Sequence, residues 1–362
     1  MALWTGVVGE ANTRAAMAFN TVLTQKVVIG LAKHRVFFRM LWGGIPRAAG
    51  NQATGAFDGN LRFEKVTYAR GNKYEMQMLG RLEDWEFLSD GNDEVALVGA
   101  SVNTDDVARF EWDLSHAFKK KWITGSEMTS IRGDRVKSEQ LVDLKLRQLG
   151  EEFARFVNTR LFGNANQSRT SIGGLQYIID NANTYGVNRA SAGNEFMQSY
   201  VANFTGGALN LDEITVAQNN LQAANGGAEL GLVGTTPFGY LQHELREHNT
   251  VFVSSDYEKD AFGGRNNRFV RLGCTDFYHD NDCGNNYMYI LSFGPDDLPY
   301  WKWVMSEDPM VSTGVIADKV NRPDAMVIPA VFWGGLFCAH PAAQARLGNS
   351  GSAIASPSGW AA

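Results

Sequence analysis

The strongest structural signal in the sequence is a run of helical periodicity at residues 138–161. Apolar residues recur there at spacings of three and four, and charged residues fill most of the positions between them. The apolar positions include Leu146, Leu149, Phe153 and Phe156. Ser138 predicts the start of the helix, and Gly163 and Asn164 predict its end. About 24 residues span roughly 36 Å, so the fold must accommodate a helix far longer than the globular mean of about 11–12 residues.

Residues 61–80 carry the clearest strand pattern. Apolar and polar side chains alternate on both sides of Gly71 and Asn72, a pair typical of a two-residue hairpin turn. The alternating positions include Val66, Tyr68, Tyr74 and Met76. We therefore predict a β-hairpin with its tip at Gly71 and Asn72. Because an isolated hairpin is marginally stable in water, we expect another part of the protein, or another subunit, to stabilise it.

The remaining elements indicate an α+β fold. Helices and strands are mixed without the regular βαβ alternation of a doubly wound sheet, and no internal repeat occurs. Residues 1–50 fit two interpretations, an arm laid over another surface or the ordinary first helix of a domain. Further helices are predicted at 213–224 and 238–247, and strands at 230–233, 251–254, 269–272, 287–292 and 326–331.

Composition excludes several classes of protein. Hydrophobic residues make up 44% of the chain and charged residues 20%, as in a globular protein. The three cysteines are too few for a disulfide framework and fit a reducing compartment. We expect no transmembrane helix, because no stretch of 18 or more apolar residues occurs. We expect no signal peptide, because residues 1–10 lack a basic start and Lys26 interrupts the apolar run at 22–31. A net charge of −6 gives no reason to expect tight binding of DNA through its phosphates.

Each candidate for catalytic chemistry fails on spacing. In the stretch His243 to His248 the two histidines are five residues apart, whereas a zinc site on one helix face needs a spacing of four. The segment 280–284 begins like a calcium loop, but Gly284 and Leu291 occupy positions that need oxygen ligands. No nucleotide-binding glycine motif is present. We predict no catalytic, cofactor-binding or metal-binding residues, and no enzymatic activity.

Several stretches, in this order, carry a resemblance to a known family. They resemble a spine helix, the glycine turn after it, paired strands late in a central domain, and a closing strand with the segment that follows. The stretches are 143–163, 172–175, 269–273 with 287–291, and 324–329 with 336–341. Together they resemble the Hong Kong 97-type major capsid proteins of tailed bacteriophages. In that family the hairpin lies over a neighbouring subunit, and Gly173 and Gly174 would form the turn after the spine.

The resemblance implies a division of the chain. It predicts an N-terminal arm, an extended hairpin loop, a peripheral domain with the spine helix, an axial domain, a return to the peripheral domain, and a C-terminal tail. The corresponding ranges are 1–50, 51–115, 116–180, 181–304, 305–345 and 346–362.

The resemblance also implies a function, the assembly of a virus shell. We expect pentamers and hexamers of this chain to form an icosahedral or prolate head around double-stranded DNA, without sequence-specific binding. A separate scaffolding protein, a portal and decoration proteins are the expected partners. The chain would be made in the host cytoplasm and end in the virion. The alternatives are an encapsulin-like compartment, a metal-dependent hydrolase using His243, Glu244 and Asp280, and a tail or decoration protein.

Overall fold

The computed structural model describes twelve stretches of the chain. They are 35–42, 63–68, 73–79, 107–130, 135–184, 187–190, 197–247, 269–294, 299–306, 316–317, 326–349 and 351–357. Five parts of the sequence-based predictions lie outside these residues: positions 1–34 of the N-terminal segment, Gly71, Asn72, the strand at 251–254 and His248. No helix in the described stretches is long and apolar enough to span a membrane.

Helices and strands alternate irregularly along the described residues, as an α+β fold requires. The helices are α1 (Val36–Trp42), α2 (Gly125–Ser130), α3 (Arg135–Leu161), α4 (Leu175–Ile178), α5 (Leu211–Ala223) and α6 (Thr235–Glu247). The first eight strands are β1 (Phe63–Tyr68), β2 (Lys73–Leu79), β3 (Val107–Asp113), β4 (Ser115–Ile123), β5 (Asn183–Thr184), β6 (Val187–Asn188), β7 (Tyr200–Asn203) and β8 (Leu230–Val233). The others are β9 (Phe269–Leu272), β10 (Thr275–His279), β11 (Tyr287–Leu291), β12 (Trp301–Ser306), β13 (Ile316–Ala317), β14 (Met326–Cys338) and β15 (Ala345–Gly348).

The first lobe is a five-stranded sheet with α3 packed against it. Its order is β1-β12-β14-β13, with β4 also paired to β14. The β14 strand has a nearly continuous apolar sequence, which suits a strand covered on both faces. Trp301, Trp303 and Phe337 are fully buried in this lobe. The long helix predicted from periodicity is confirmed, and it begins three residues earlier than Ser138 predicts.

The second lobe is a six-stranded sheet with the order β7-β15-β11-β8-β10-β9. Helices α5 and α6 each bury one apolar face in its core. Asn210 caps α5 by accepting a hydrogen bond from the backbone N–H of Asp212. The short strand β8 is buried at all four positions, because its neighbours β10 and β11 cover both edges and the core covers its faces.

The C-terminal segment differs from the predicted tail at 346–362. Strand β15 pairs with β7 in parallel and with β11 in antiparallel orientation, inside the second sheet. Ile354 is buried, and its backbone N–H donates to the carbonyl of Asn285. The chain therefore returns to the second lobe after β14, and Ala345, Leu347 and Ile354 are buried in its core. The sequence did not predict this return, because a stretch rich in Gly and Ala is typical of a low-complexity linker and also occurs in closely packed strands.

The predicted hairpin at 61–80 is wrong, although both of its strands exist. Strand β1 pairs in parallel with β12 in the first sheet. Strand β2 pairs in antiparallel orientation with β3, from Lys73 opposite Asp113 to Leu79 opposite Val107. The physical reason is that alternation specifies a strand and its faces, whereas its partner is chosen by packing against distant residues. Strands β2 and β3 form a two-stranded ribbon, and residues 80–106 connect its open end.

Candidate assembly surfaces

The base of the β2–β3 ribbon is fixed to its own subunit. The rings of Tyr74 and Trp112 lie 5.1 and 5.4 Å from the ring of Phe337, centroid to centroid. Met76 is also buried. Two of the predicted assembly residues, Tyr74 and Met76, therefore anchor the ribbon to the first lobe. Val66 and Tyr68 lie in β1, opposite Val304 and Ser306 of β12.

The spine helix α3 contributes to the core through one face only. Leu149 and Phe153 are buried, as the periodicity predicts, whereas Phe156 is 40% exposed. Phe153 contacts Phe38 of α1 at 6.1 Å and Phe332 of β14 at 5.1 Å between ring centroids. The helix therefore joins α1 to the first sheet. The side chain of Leu146, also predicted to face the core, lies outside the described residues.

The turn after the spine depends on close backbone packing. A Cβ atom on Gly174 would lie 1.9 Å from the carbonyl oxygen of Gly163, a distance that no side chain tolerates. The backbone N–H of Gly174 donates to the carbonyl of Ala165, and that of Gly173 donates to Oε1 of buried Gln167. Glycine is therefore required at 174 by steric contact, which explains the glycine pair that the sequence shows there.

An open groove of about 280 Å³ lies between α3, β4 and β14. Leu149, Phe153 and Phe332 line it. Phe118 and Phe156 line it too, and they are 56% and 40% exposed. Sequence reasoning missed this groove because Phe118 stands in β4, which pairs with β14 more than 200 residues further along the chain.

A cluster of polar side chains, which we call the carboxylate clamp, holds α1 against the junction of α3 and the β10–β11 turn. It consists of Arg35, Asn158, Asp280 and Asp282. Asp280 is fully buried and accepts hydrogen bonds from the backbone N–H of Phe37 at 2.9 Å and from Asn158 Nδ2 at 2.8 Å. Asp282 accepts from Arg35 Nε at 3.0 Å and from Asn158 Nδ2 at 2.8 Å.

Burial and hydrogen bonding act in opposite directions on the pKa of Asp280 in the clamp. Burial raises the pKa of Asp280 to about 6, although hydrogen bonds from Phe37, Asp282 and Asn158 act to lower it. Asn158 also accepts from the backbone N–H of Phe38 at 3.1 Å, so its amide is used at both ends. The first two residues after the start of α1 are therefore held by side chains that are distant in sequence.

The acidic segment near Asp280 does not gather into a metal site. Asp276 pairs with Arg271 at 2.6 Å, and His279 lies 2.8 Å from the hydroxyl of Thr235. Asp280 turns into the clamp instead. Among the residues that the structure describes, no group of three or more histidine, cysteine, aspartate or glutamate side chains is placed to hold a metal ion. His243 and Glu244 lie on α6 and are not in such a group.

No family model matches the sequence, and no curated protein matches it. Solved structures do share its fold. The holo-SrpI encapsulin complex of Synechococcus elongatus PCC 7942 is 10% identical with a TM-score of 0.55, covering 87% of this chain and 96% of that chain. The capsid of a native GTA particle is 14% identical with a TM-score of 0.52, covering 83% and 95%. The capsid of cyanophage A-1(L) is 11% identical with a TM-score of 0.52, covering 84% and 98%.

These matches span nearly the whole of each shell protein and most of this chain. At such identities the shared property is the fold. The encapsulin and the cyanophage capsid both match, at TM-scores of 0.55 and 0.52, so the fold is common to both kinds of shell. The resemblance in the sequence is thereby confirmed at the level of architecture, and this chain has the Hong Kong 97-type fold of the tailed-phage major capsid proteins.

Proposed function

We propose that this chain is a major capsid protein. It self-assembles through pentamers and hexamers into the icosahedral or prolate head of a tailed phage, and the head encloses double-stranded DNA. The observation that carries the proposal is the shared fold, since it extends over 83–87% of the chain and over almost all of three shell-forming proteins. Closed shells need many copies of one chain joined by repeated heterologous contacts.

The described lobes suit a division into a peripheral and an axial domain. The first lobe, with α3 and the β12–β14 sheet, would be the peripheral domain. The second lobe, including β15, would be the axial domain around the five-fold and six-fold centres. The β2–β3 ribbon would carry much of the contact between neighbours, because a two-stranded ribbon has few partners within its own subunit.

The net negative charge fits a shell that does not bind its contents tightly. A net charge of −6 provides no broad electrostatic attraction to phosphates. The head would therefore enclose DNA without binding it tightly or reading its sequence. A scaffolding protein and a portal from separate chains would direct assembly in the host cytoplasm, and decoration proteins would bind the finished head.

The second candidate is an encapsulin-like compartment that encloses protein. It is favoured by one observation, the TM-score of 0.55 against an encapsulin complex. Both candidates are shells, and their contents distinguish them. Nucleic acid protected from nuclease inside purified particles supports the phage head, whereas particles that hold a protein cargo and no nucleic acid support the compartment.

Electron microscopy of the expressed chain, alone and with a candidate scaffolding protein, tests the proposal. We expect closed shells in which this chain is the dominant band. A chain that stays monomeric under all of these conditions contradicts both shell functions. Stoichiometric zinc in the purified monomer would instead support the alternative function of a metal-dependent hydrolase.

A further inference from the structure

Two neighbouring segments of the chain pass from the sheet of one lobe to the sheet of the other. Residues 291–301 connect β11 to β12, and residues 338–345 connect β14 to β15. The backbone N–H of Ala339 in the second segment donates to the carbonyl of Tyr300 in the first at 2.7 Å. The angle between the lobes therefore depends on how these two segments are held at their junction.

The side-chain amide of Gln344 lies at this junction and is fully buried. Its Oε1 accepts hydrogen bonds from the backbone N–H of Ser292 at 2.9 Å and from the indole Nε1 of Trp301 at 3.2 Å. Its Nε2 donates to the carbonyls of Ser292 at 3.0 Å and His340 at 3.4 Å. The amide therefore uses both of its donors and both of its acceptor positions within the chain.

These hydrogen bonds join groups that belong to different lobes. Ser292 directly follows β11 of the second sheet, whereas Trp301 begins β12 and is fully buried in the first lobe. Gln344 itself precedes β15, and its backbone carbonyl accepts from the N–H of Tyr200, the first residue of β7. One residue thus connects the end of β11 with the starts of β7, β12 and β15.

Two aromatic side chains at the junction contact the segment that follows α5 in the second lobe. The hydroxyl of Tyr300 donates to the carbonyl of Asn225, and Nε2 of His340 donates to the carbonyl of Ala224, both at 3.0 Å. The two rings pack edge to face, with 4.9 Å between their centroids. Tyr300 precedes β12 and His340 follows β14, so residues at the edge of the first lobe supply donors to carbonyls of the second.

Apolar contacts and the carboxylate clamp also join the lobes. Phe162, just beyond α3, and Tyr289 of β11 lie 6.0 Å apart between ring centroids. In the clamp, Asn158 of α3 donates to Asp280, which follows β10. Apolar burial is non-directional, whereas hydrogen bonds weaken steeply away from linear geometry, so the polar connections are the ones that can specify an angle. The clamp alone is a single point about which the lobes can rotate, and the junction at Gln344 is the second point.

We propose that Gln344, supported by Tyr300, is the positioning residue that fixes the angle between the two lobes. A buried polar network in which every group is satisfied rigidifies its surroundings. When the hydrogen bonds of Gln344 are lost, the apolar contacts and the clamp keep the lobes joined, but the lobes take a range of angles about the clamp. In a closed shell the angle within each subunit contributes to the curvature of the wall. This consequence rests on the proposed shell function, and it assigns to Gln344 the restriction of shells to a narrow range of diameters.

Distances between the lobes test the proposal in unassembled subunits. In a chain with Cys274→Ser, which removes an exposed native thiol, spin labels are attached at Leu144→Cys on α3 and Val216→Cys on α5, two exposed positions in different lobes. Pulsed EPR then gives the distribution of the distance between the two labels. Gln344→Met, which keeps the approximate volume of the side chain and removes its hydrogen bonds, should broaden or shift this distribution relative to the unaltered junction.

A second buried glutamine provides the matched control. Gln218 is 4% exposed, and its Nε2 donates to the carbonyl of Leu272 at 2.7 Å and to Oγ1 of Thr275 at 2.8 Å, so these hydrogen bonds stay within the second lobe. Gln218→Met should therefore leave the distance distribution unchanged, although it too loses buried hydrogen bonds. Equal broadening in both variants, or no change in Gln344→Met, overturns the proposal.

Tyr300→Phe decides the question if Gln344→Met does not fold. This change removes one hydroxyl with its hydrogen bond to Asn225 and keeps the ring against His340. We expect a smaller broadening in the same measurement, because one of the hydrogen bonds between the lobes is lost and those of Gln344 remain. An unchanged distribution would then overturn the proposal.

Electron microscopy tests the consequence for assembly. Under conditions in which the unaltered chain forms shells, Gln344→Met should give a wider range of shell diameters, and Gln218→Met should give the diameters of the unaltered chain. Broadened distances with unchanged diameters would show that the angle does not set the curvature, and that part of the inference would be wrong. Failure of the unaltered chain to form any shell overturns the function instead, while the distances between the labels still test the junction.

Discussion

The carboxylate clamp and the groove between α3, β4 and β14 depart from the usual distribution of side chains in opposite ways. In the clamp, the charge-bearing Asp280 is buried completely, and every donor that it needs comes from the same chain. In the groove, Phe118 and Phe156 are exposed although both are large and apolar. Buried charge that is paired within the chain contributes to the subunit's own structure, whereas exposed apolar surface indicates contact with another surface.

The two regions also meet at one side chain. Phe153 contacts Phe38 of the clamped helix α1 and lines the groove beside Phe332. The clamp fixes α1 against α3, and α3 forms one wall of the groove. Substitutions in the clamp should therefore change subunit stability, and substitutions on the groove walls should change association while leaving the subunit folded.

The largest expected effect is from Asp280→Ala. The change leaves the backbone N–H of Phe37 and the amide of Asn158 without their buried acceptor, so the free energy of unfolding of unassembled subunits should fall by about 3–5 kcal/mol. Urea unfolding followed by fluorescence measures it. Asp276→Ala removes a partly exposed pair, in which the partner Arg271 is 49% exposed, and should cost under about 1 kcal/mol. Equal losses in the two variants would contradict a special role for the clamp.

The clamp should also give the subunit an unusual dependence on pH. The pKa of Asp280 is raised in the folded state to about 6 from an ordinary 3.8. The folded protein therefore binds a proton more readily than the unfolded chain does. This contribution to stability is complete below about pH 3.8 and is lost as the pH rises through about 6, with a size of up to about 3 kcal/mol.

Comparison with a variant isolates this dependence from other titrating groups. In Asp280→Asn, which cannot titrate, the fall in the free energy of unfolding between pH 4 and 7 should be smaller than in the unaltered protein by about that amount. Urea unfolding at several pH values measures both slopes. Parallel slopes would show that Asp280 titrates with an ordinary pKa.

A smaller loss of stability is expected when Arg35, at the partly exposed edge of the clamp, is replaced. Arg35 donates to Asp282, and the two side chains are 19% and 17% exposed. Arg35→Ala should lower the free energy of unfolding by about 1 kcal/mol, because Asn158 still donates to Asp282 and solvent reaches the vacated space. Arg35→Lys tests whether the charge alone suffices. A loss as large as that of Asp280→Ala would mean that the ion pair, rather than the buried carboxylate, holds α1.

The smallest effect on stability is expected in the groove. Phe118→Ser should change the free energy of unfolding of unassembled subunits by less than about 0.5 kcal/mol, since more than half of the ring is exposed. The same change should raise the protein concentration needed for shells, which light scattering measures. Phe332→Ala, at a buried position on the same groove, serves as the contrast and should cost about 3–5 kcal/mol. If Phe118→Ser unfolds the subunit, the groove is part of the core.

Local patterns were sufficient for much of the secondary structure. The spacing of Leu149 and Phe153 predicted α3, and strand β9 has the bounds that its apolar run predicts. The partners of the strands were not predictable in this way. Tyr74 alternates with its neighbours as a hairpin residue does, but its partner is Trp112 of β3, 38 residues further along the chain, and not a residue of β1. Pairing depends on which surfaces are buried together, and a local window of sequence does not contain that information.

The sites divide in the same way, into local features that the sequence predicts and tertiary features that it does not. The sequence excluded a zinc motif at His243 because the spacing of residues along one helix is a local property. It did not find the clamp, whose members Arg35, Asn158 and Asp280 come from three separated segments, or the groove, whose walls lie in α3, β4 and β14.

The sequence by itself therefore determined the long helix, some of the strands, the α+β class and the family resemblance, because periodicity and element order are properties of the chain. The tertiary structure decided that β1 joins β12, that β15 joins the sheet of the second lobe, and that Asp280 is buried while Phe118 is exposed. All three outcomes depend on which surfaces are buried. Burial depends on how all the apolar surfaces of the chain pack into a common core, so no single segment determines it.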